Sequence, residues 1–105
     1  MDFQGRGIEA SDFPDLDSFE KARAESALIL AFDKIQKRVK NDVFLHAHFK
    51  QHEVEGKRVK YTVNLKLSFP GGVFVASETA WGCVDSLQGA LKVLEREVVK
   101  GLDRR

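Results

Sequence analysis

The chain contains little cysteine and no long apolar segment. Cys83 is the only cysteine among 105 residues, so an intramolecular disulfide and an all-cysteine metal site are excluded. No run of apolar residues approaches the roughly 18 that cross a membrane, and the first residues lack the basic and then apolar segments of a secretory signal. We therefore expect one cytoplasmic domain, residues 1–105, whose stability comes from packing.

Net charge is also nearly absent, because 17 basic and 16 acidic residues almost cancel to +1. The charges are unevenly distributed, since residues 1–20 carry six acids and one base, whereas residues 34–66 carry nine bases and three acids. A basic middle permits a nucleic-acid partner, but it falls short of the strongly basic balance that would require one. Whether the chain has a nucleic-acid partner therefore depends on where these charges lie in the fold.

The apolar pattern changes from a helical to an alternating period and back along the chain. Residues 17 or 18 to 40 contain neither proline nor glycine and predict a first helix. The alternating segments predict three strands, at residues 43–50, 59–69 and 73–77. A polar connection at residues 51–57 joins the first two. A second helix should run from residue 81 or 82 until Gly101 stops it, and residues 1–4 could add a short first strand.

Helices that bury one face of an antiparallel sheet satisfy both apolar periods. We therefore predict a two-layer α+β fold of order (β)αβββα, with two helices on one face of an antiparallel-rich sheet and a first strand that is short or absent. The outward faces of the helices then become neighbours, and their cations combine into one field suited to phosphates. These helix cations are Arg23, Lys34 and Lys37 on the first helix and Lys92, Arg96 and Lys100 on the second.

A second basic surface is predicted on the open face of the sheet, at Arg58, Lys60 and Lys66. The sequence does not rank the two surfaces. A polar helix face that only meets water would carry the same stripe of charges.

Three histidines and one cysteine are the residues with possible metal or catalytic chemistry. His46, His48 and His52 have no carboxylate or cysteine at a ligand spacing, so we interpret them as solvated strand residues able to contact RNA and predict no metal and no cofactor. Cys83 is interpreted as a small buried core residue. The acids of residues 1–20 form no catalytic pair, so we expect no enzyme.

Two large side chains, Trp81 and Leu30, fall outside the clear apolar faces. Trp81 is interpreted as a cap over one end of the core, with base stacking as the alternative. Leu30 lies among the cations of the first helix and is interpreted as an isolated exposed leucine.

Several different short motifs are spread over nearly the whole chain. GGVFVAS at residues 71–77 precedes VDSLQGALKVLERE at 84–97, and FDKI at 32–35, TVNLKL at 62–67 and GRGIEASD at 5–12 lie upstream. Together they resemble the ribosome hibernation promoting factor family, also called ribosome-associated inhibitors or sigma-factor modulation proteins. In that family, two glycines, a strand and a helix with a basic end have the same spacing, and a segment like residues 5–12 links the first strand to the first helix.

The resemblance implies a βαβββα domain that binds the small ribosomal subunit in the channel used by messenger and transfer RNA. There, such a protein blocks translation and protects idle ribosomes under stress. The positions that match the family's ribosomal RNA contacts are Lys34, Lys37, Arg38, Arg96 and Lys100. We add Lys92, which belongs to the same row of cations on the second helix. Secondary candidates are Arg23, Arg58, Lys60 and Lys66. We expect no membrane, no small-molecule substrate and no C-terminal dimerisation domain after Arg105.

Two other functions remain open for an αβββα domain. A double-stranded RNA-binding domain has this order, but it carries a lysine cluster at the start of its second helix, where this chain has WGC at residues 81–83. A protein–protein module could instead use the aromatic side chains of Phe44 and Trp81.

Overall fold

A four-stranded sheet and two long helices make up residues 3–103, the part of the chain that the computed structural model describes. The elements in chain order are β1 (Ile8–Ser11), α1 (Ser18–Val39), β2 (Phe44–Glu55), β3 (Arg58–Phe69), β4 (Gly72–Trp81) and α2 (Cys83–Asp103). The strands lie in the order β1-β2-β3-β4. β1 pairs with β2 in parallel, whereas the other two pairings are antiparallel. The predicted α+β fold with an antiparallel-rich sheet is confirmed.

Within residues 3–103, the two helices cover one face of the sheet and leave the other face open. Along β3, Val63, Leu65 and Leu67 are buried, whereas the alternating residues Asn64 and Lys66 are exposed. Both helices contribute side chains to the single core on the buried face, and α1 contacts α2 directly. The outward sides of the two helices therefore form one surface of the molecule, and the open sheet face forms the other.

The first helix has the boundaries that its sequence predicts. The Asp17 side chain caps the start by accepting a hydrogen bond from the Glu20 backbone N–H at 2.8 Å. At the other end, Lys40 adopts a left-handed conformation with φ of 59° and donates its backbone N–H to the carbonyl of Gln36. These two caps fix where the basic last turns of α1 lie.

The first strand does not lie where the sequence predicted it. Residues 3–7 form no strand and turn at Gln4 and Gly5, and residues 1 and 2 fall outside the described part. β1 lies within the segment interpreted as a loop. Ile8 is buried and Ala10 packs against the core, whereas Glu9 is exposed. Four residues of alternation are too few to stand out in a sequence. Pairing with β2 makes this segment a strand.

The hairpin between β2 and β3 is tighter than predicted. The polar connection at residues 51–57 is mostly strand, and only Gly56 and Lys57 form the turn. Gly56 has φ of +60°, a conformation that glycine adopts without strain. The ends of both strands extend beyond the core, so their side chains are polar and resemble those of a loop. β4 likewise continues past residue 77 to Trp81, which pairs with Lys60.

The second helix does not stop at Gly101 but continues to Asp103. A Cβ atom at this position would collide with the ring of Phe74, which stacks on Phe69 with ring centroids 5.3 Å apart. Glycine is therefore needed here for close packing of α2 on β4, not for ending the helix. Gly89 faces the same strand, where a Cβ would lie 2.7 Å from Cγ of Glu78.

Replacing each of the two helical glycines by alanine should show which of them is needed for close packing against β4. Gly101→Ala is expected to lower the free energy of unfolding by about 1–3 kcal/mol, because the stacked ring cannot yield without repacking. Gly89→Ala meets a flexible side chain and should range from neutral to a gain of about 1 kcal/mol from helix propensity. Urea denaturation measures both. An equal increase in the free energy of unfolding for both variants would contradict the packing role of Gly101.

Candidate nucleic-acid interface

The six predicted RNA-binding cations all lie exposed on the two helices. They are Lys34, Lys37, Arg38, Lys92, Arg96 and Lys100. Within residues 3–103, no hydrogen bond or short-range ion pair holds any of the six side chains. Their charges are therefore available to an anionic partner without breaking contacts inside the protein.

A groove of about 280 Å³ separates the two sets of cations. The three cations of α1 line it together with Glu95, Val98 and Val99 of α2. The α2 cations do not line this groove and lie farther round that helix. The predicted single basic field therefore consists of two basic ridges with an acidic side chain between them.

An ion pair ties the start of β1 to the basic half of α1. Arg6 donates from Nε to Oδ1 of Asp33 at 2.7 Å and from its second terminal nitrogen to Oδ2 at 2.8 Å, a bidentate geometry that fixes orientation. The hydrogen bonds from Arg6 lower the pKa of Asp33, and the charge of Lys37 acts in the same direction. The sequence does not predict this pair, because 27 residues separate its members and no local pattern joins them.

The start of α2 is held by Ser86, a fully buried polar side chain. Its Oγ lies 2.8 Å from the carbonyl oxygen of Gly82, 3.0 Å from that of Tyr61 and 3.1 Å from that of Ala80. One hydroxyl thus joins the first turn of α2 to β3 and β4. Ser86 lies inside the 84–97 motif, but its contacts are formed by the fold and were not predicted.

Two of the three sheet cations are engaged with an aromatic ring. The Arg58 guanidinium lies 4.4 Å from the ring centroid of Trp81, and the Lys60 ammonium lies 5.7 Å from it. Arg58 also pairs with Glu55 at 3.5 Å. Trp81 is half-buried and lies outside the core cluster, so the prediction that it caps the core is wrong. Lys66 is exposed on the same open face.

Each histidine on the sheet has a polar partner. Nε2 of His46 lies 2.8 Å from Oγ of Ser11, and Nε2 of His48 lies 2.9 Å from Oδ2 of Asp12. These contacts join the end of β1 to β2, while His52 lies 2.5 Å from Oγ1 of Thr62. Within residues 3–103, no group of three or more histidine, cysteine or acidic residues is arranged to hold a metal ion.

Cys83 is buried, as the sequence predicted. Burial, with a smaller contribution from the charge of Glu20, raises the pKa of its thiol to about 12. The thiol is therefore protonated at neutral pH and is a poor nucleophile.

Neither helix within residues 3–103 is long and apolar enough to cross a membrane.

The fold has a solved counterpart, although the sequence has no match. The crystal structure of the N-terminal domain of Thermus thermophilus Protein Y is similar to this chain, with a TM-score of 0.59 and 14% sequence identity over 87% of this chain and 90% of that chain. No protein-family model and no curated protein sequence matches. At this identity, the likeness establishes a shared βαβββα fold.

Removing the Asp33 carboxylate should reveal the contribution of the ion pair through pH. Because its pKa is lowered in the folded chain, Asp33 stabilises the fold above the ordinary carboxyl pKa of about 4. That stabilisation is lost as pH falls through the lowered value. Thermal unfolding at neutral pH should give a lower midpoint for Asp33→Asn than for wild type, and the difference should shrink in strong acid.

Asp42→Asn is the matched control, because Asp42 is an exposed acid close to the end of α1. Its midpoint should follow that of wild type at both pH values. A difference between wild type and Asp33→Asn that stays constant with pH would argue against a stabilising carboxylate at this position.

Proposed function

We propose that this chain binds ribosomal RNA of the small subunit through the outward faces of its two helices. Bound in the channel for messenger and transfer RNA, it acts as a ribosome-associated translation inhibitor, or hibernation factor, in the cytoplasm. The observation that carries the proposal is the pair of basic ridges, whose six exposed cations make no ion pairs within residues 3–103.

The fold supports the family resemblance independently of the motifs. The resemblance implied a βαβββα order, and the structure has that order from Ile8 to Asp103. A solved Protein Y domain shares the fold over most of both chains. Short motifs and a common fold thus favour the same ribosome-associated class.

The electrostatics favour the helix face over the open sheet face. A phosphate that approaches Arg58 competes with Glu55 and with the ring of Trp81. On the helix face, the six cations are exposed, and Glu95 is the acid that lines the groove between the two ridges. Phosphate contacts there cost less rearrangement, and they release condensed counterions to the same extent.

The alternative RNA-binding mode has less support. A double-stranded RNA-binding domain places lysines at the start of its second helix, but α2 begins with Cys83, Val84 and Asp85, of which Asp85 is exposed. An acid at that place would repel the phosphates of a groove. We therefore do not favour this mode.

Two triple variants with equal charge loss test the surface. Lys92→Gln, Arg96→Gln and Lys100→Gln remove three helix cations, whereas Arg58→Gln, Lys60→Gln and Lys66→Gln remove three sheet cations. Co-sedimentation with small ribosomal subunits should be lost at moderate salt for the helix triple and largely kept for the sheet triple. Each lost phosphate contact should also reduce the slope of log affinity against log salt by about one unit.

The outcomes separate the two parts of the proposal. Loss of binding with the sheet triple alone would assign the RNA to the open sheet face. A wild-type protein that never sediments with ribosomal subunits at low salt would exclude the ribosomal function. Recovery of one protein and no RNA in a pull-down would favour the protein–protein alternative.

A further inference from the structure

The outward side of α1 carries an apolar seam as well as cations. Phe19 is 71% exposed and Leu30 is 63% exposed. A groove of about 330 Å³ lies between them, lined by Ala22, Arg23, Ser26 and Ala27 of α1 and bordered on one side by Gln88 of α2. Leu30 is exposed, as interpreted from the sequence, and it shares this groove with Phe19. By helical spacing, this seam lies opposite the buried residues of α1.

The spacing along the seam is that of a helix-pairing surface. Phe19, Arg23, Ser26 and Leu30 follow one another at intervals of four, three and four residues, the repeat of the a and d positions of a coiled coil. Large side chains stand at the two ends, about 16 Å apart along the helix. Between them lie the small side chains of Ala22, Ser26 and Ala27 and the longer side chain of Arg23. A second helix approaches most closely at the small side chains.

This arrangement is complementary to itself in one direction only. If a second copy packs antiparallel, Phe19 meets Leu30 of the second copy, and Arg23 meets Ser26 of the second copy. Each layer then pairs a large side chain with a different and smaller one. A parallel copy would instead place Phe19 on Phe19 and Arg23 on Arg23, which stacks like charges.

Charge favours the same direction. The loop before α1 and its first turn carry Asp15, Asp17 and Glu20 against Lys21, whereas the later turns carry Lys34, Lys37 and Arg38 against Asp33. An antiparallel copy sets the acidic start of each helix beside the basic end of the other. The Arg23 guanidinium also lies over the Phe19 ring at 6.0 Å, so it leans away from the middle of the seam.

We propose that α1 is a self-association surface, and that its occupant is a second, antiparallel copy of this chain. Stable dimers bury about 1,200–2,000 Å² in total, and a seam of three helical turns falls at or below the lower end of this range. The dimer is therefore weak and reversible, and its population rises with protein concentration. The proposal needs no RNA and does not rest on the proposed function.

Sedimentation equilibrium over a wide concentration range tests the association. For wild type, the weight-average mass should rise from the chain mass of 11.8 kDa towards twice that value. Phe19→Gln with Leu30→Gln should remain monomeric, with an unchanged circular dichroism spectrum. The matched control is Val54→Gln with Val75→Gln, which removes two side chains of similar exposure, 62% and 66%, from β2 and β4.

The control variant should associate like wild type. A wild-type protein that stays monomeric up to nearly millimolar concentration would overturn the proposal. So would a reversed result, in which the strand variant is monomeric and the α1 variant still dimerises.

Disulfide trapping tests the direction of the helices. Arg23→Cys and Ser26→Cys are made in separate chains, and Cys83 is buried in both. In the antiparallel dimer, a mixture of the two chains should crosslink under mild oxidation several-fold more than either chain alone. Crosslinking of each chain with itself, and no gain on mixing, would indicate a parallel pair and overturn the proposed geometry. The wild-type protein should give no crosslink.

Discussion

The burial of one sheet face by two helices is the constraint on which the rest of this structure depends. The alternating buried side chains of β3 need an apolar cover, and the apolar stripes of α1 and α2 provide it together. Because both helices pack side by side on the same sheet face, the helix residues opposite the core all lie on one solvent-exposed surface. Core packing thus sets the two basic ridges on one side of the molecule, with a groove between them.

A few polar contacts then fix how the helices sit on the sheet. Arg6 and Asp33 link the segment before β1 to the middle of α1, while Ser86 joins the start of α2 to β3 and β4. Close packing of Gly101 on Phe74 sets the other end of α2. These contacts make the two basic ridges rigid elements of the fold, and rigid placement reduces the entropy lost when a partner binds.

The sequence predicted those features that rest on long periodic patterns. The start of α1 was predicted at Asp17 or Ser18 and its end near Lys40, and β3 was predicted almost residue by residue. The exposure of the helix cations followed from the helical period. The features missed depend on tertiary partners. β1 is four residues long and is a strand because β2 lies beside it, Gly101 is explained by an aromatic ring on β4, and Trp81 is held by Arg58 and Lys60. Arg6 and Asp33 are likewise too distant in the chain for a local pattern to join them.

The single helix α1 carries both proposed surfaces, and this has a physical consequence. Its basic residues Lys34, Lys37 and Arg38 line the groove toward α2, whereas Phe19 and Leu30 point away from the core. An antiparallel second copy would lie along the same helix and would bring acidic side chains close to Lys34 and Lys37. Those acids would lower the positive potential that attracts phosphates. If both proposals hold, RNA binding and self-association therefore oppose each other, and by linkage each weakens the other to the same extent.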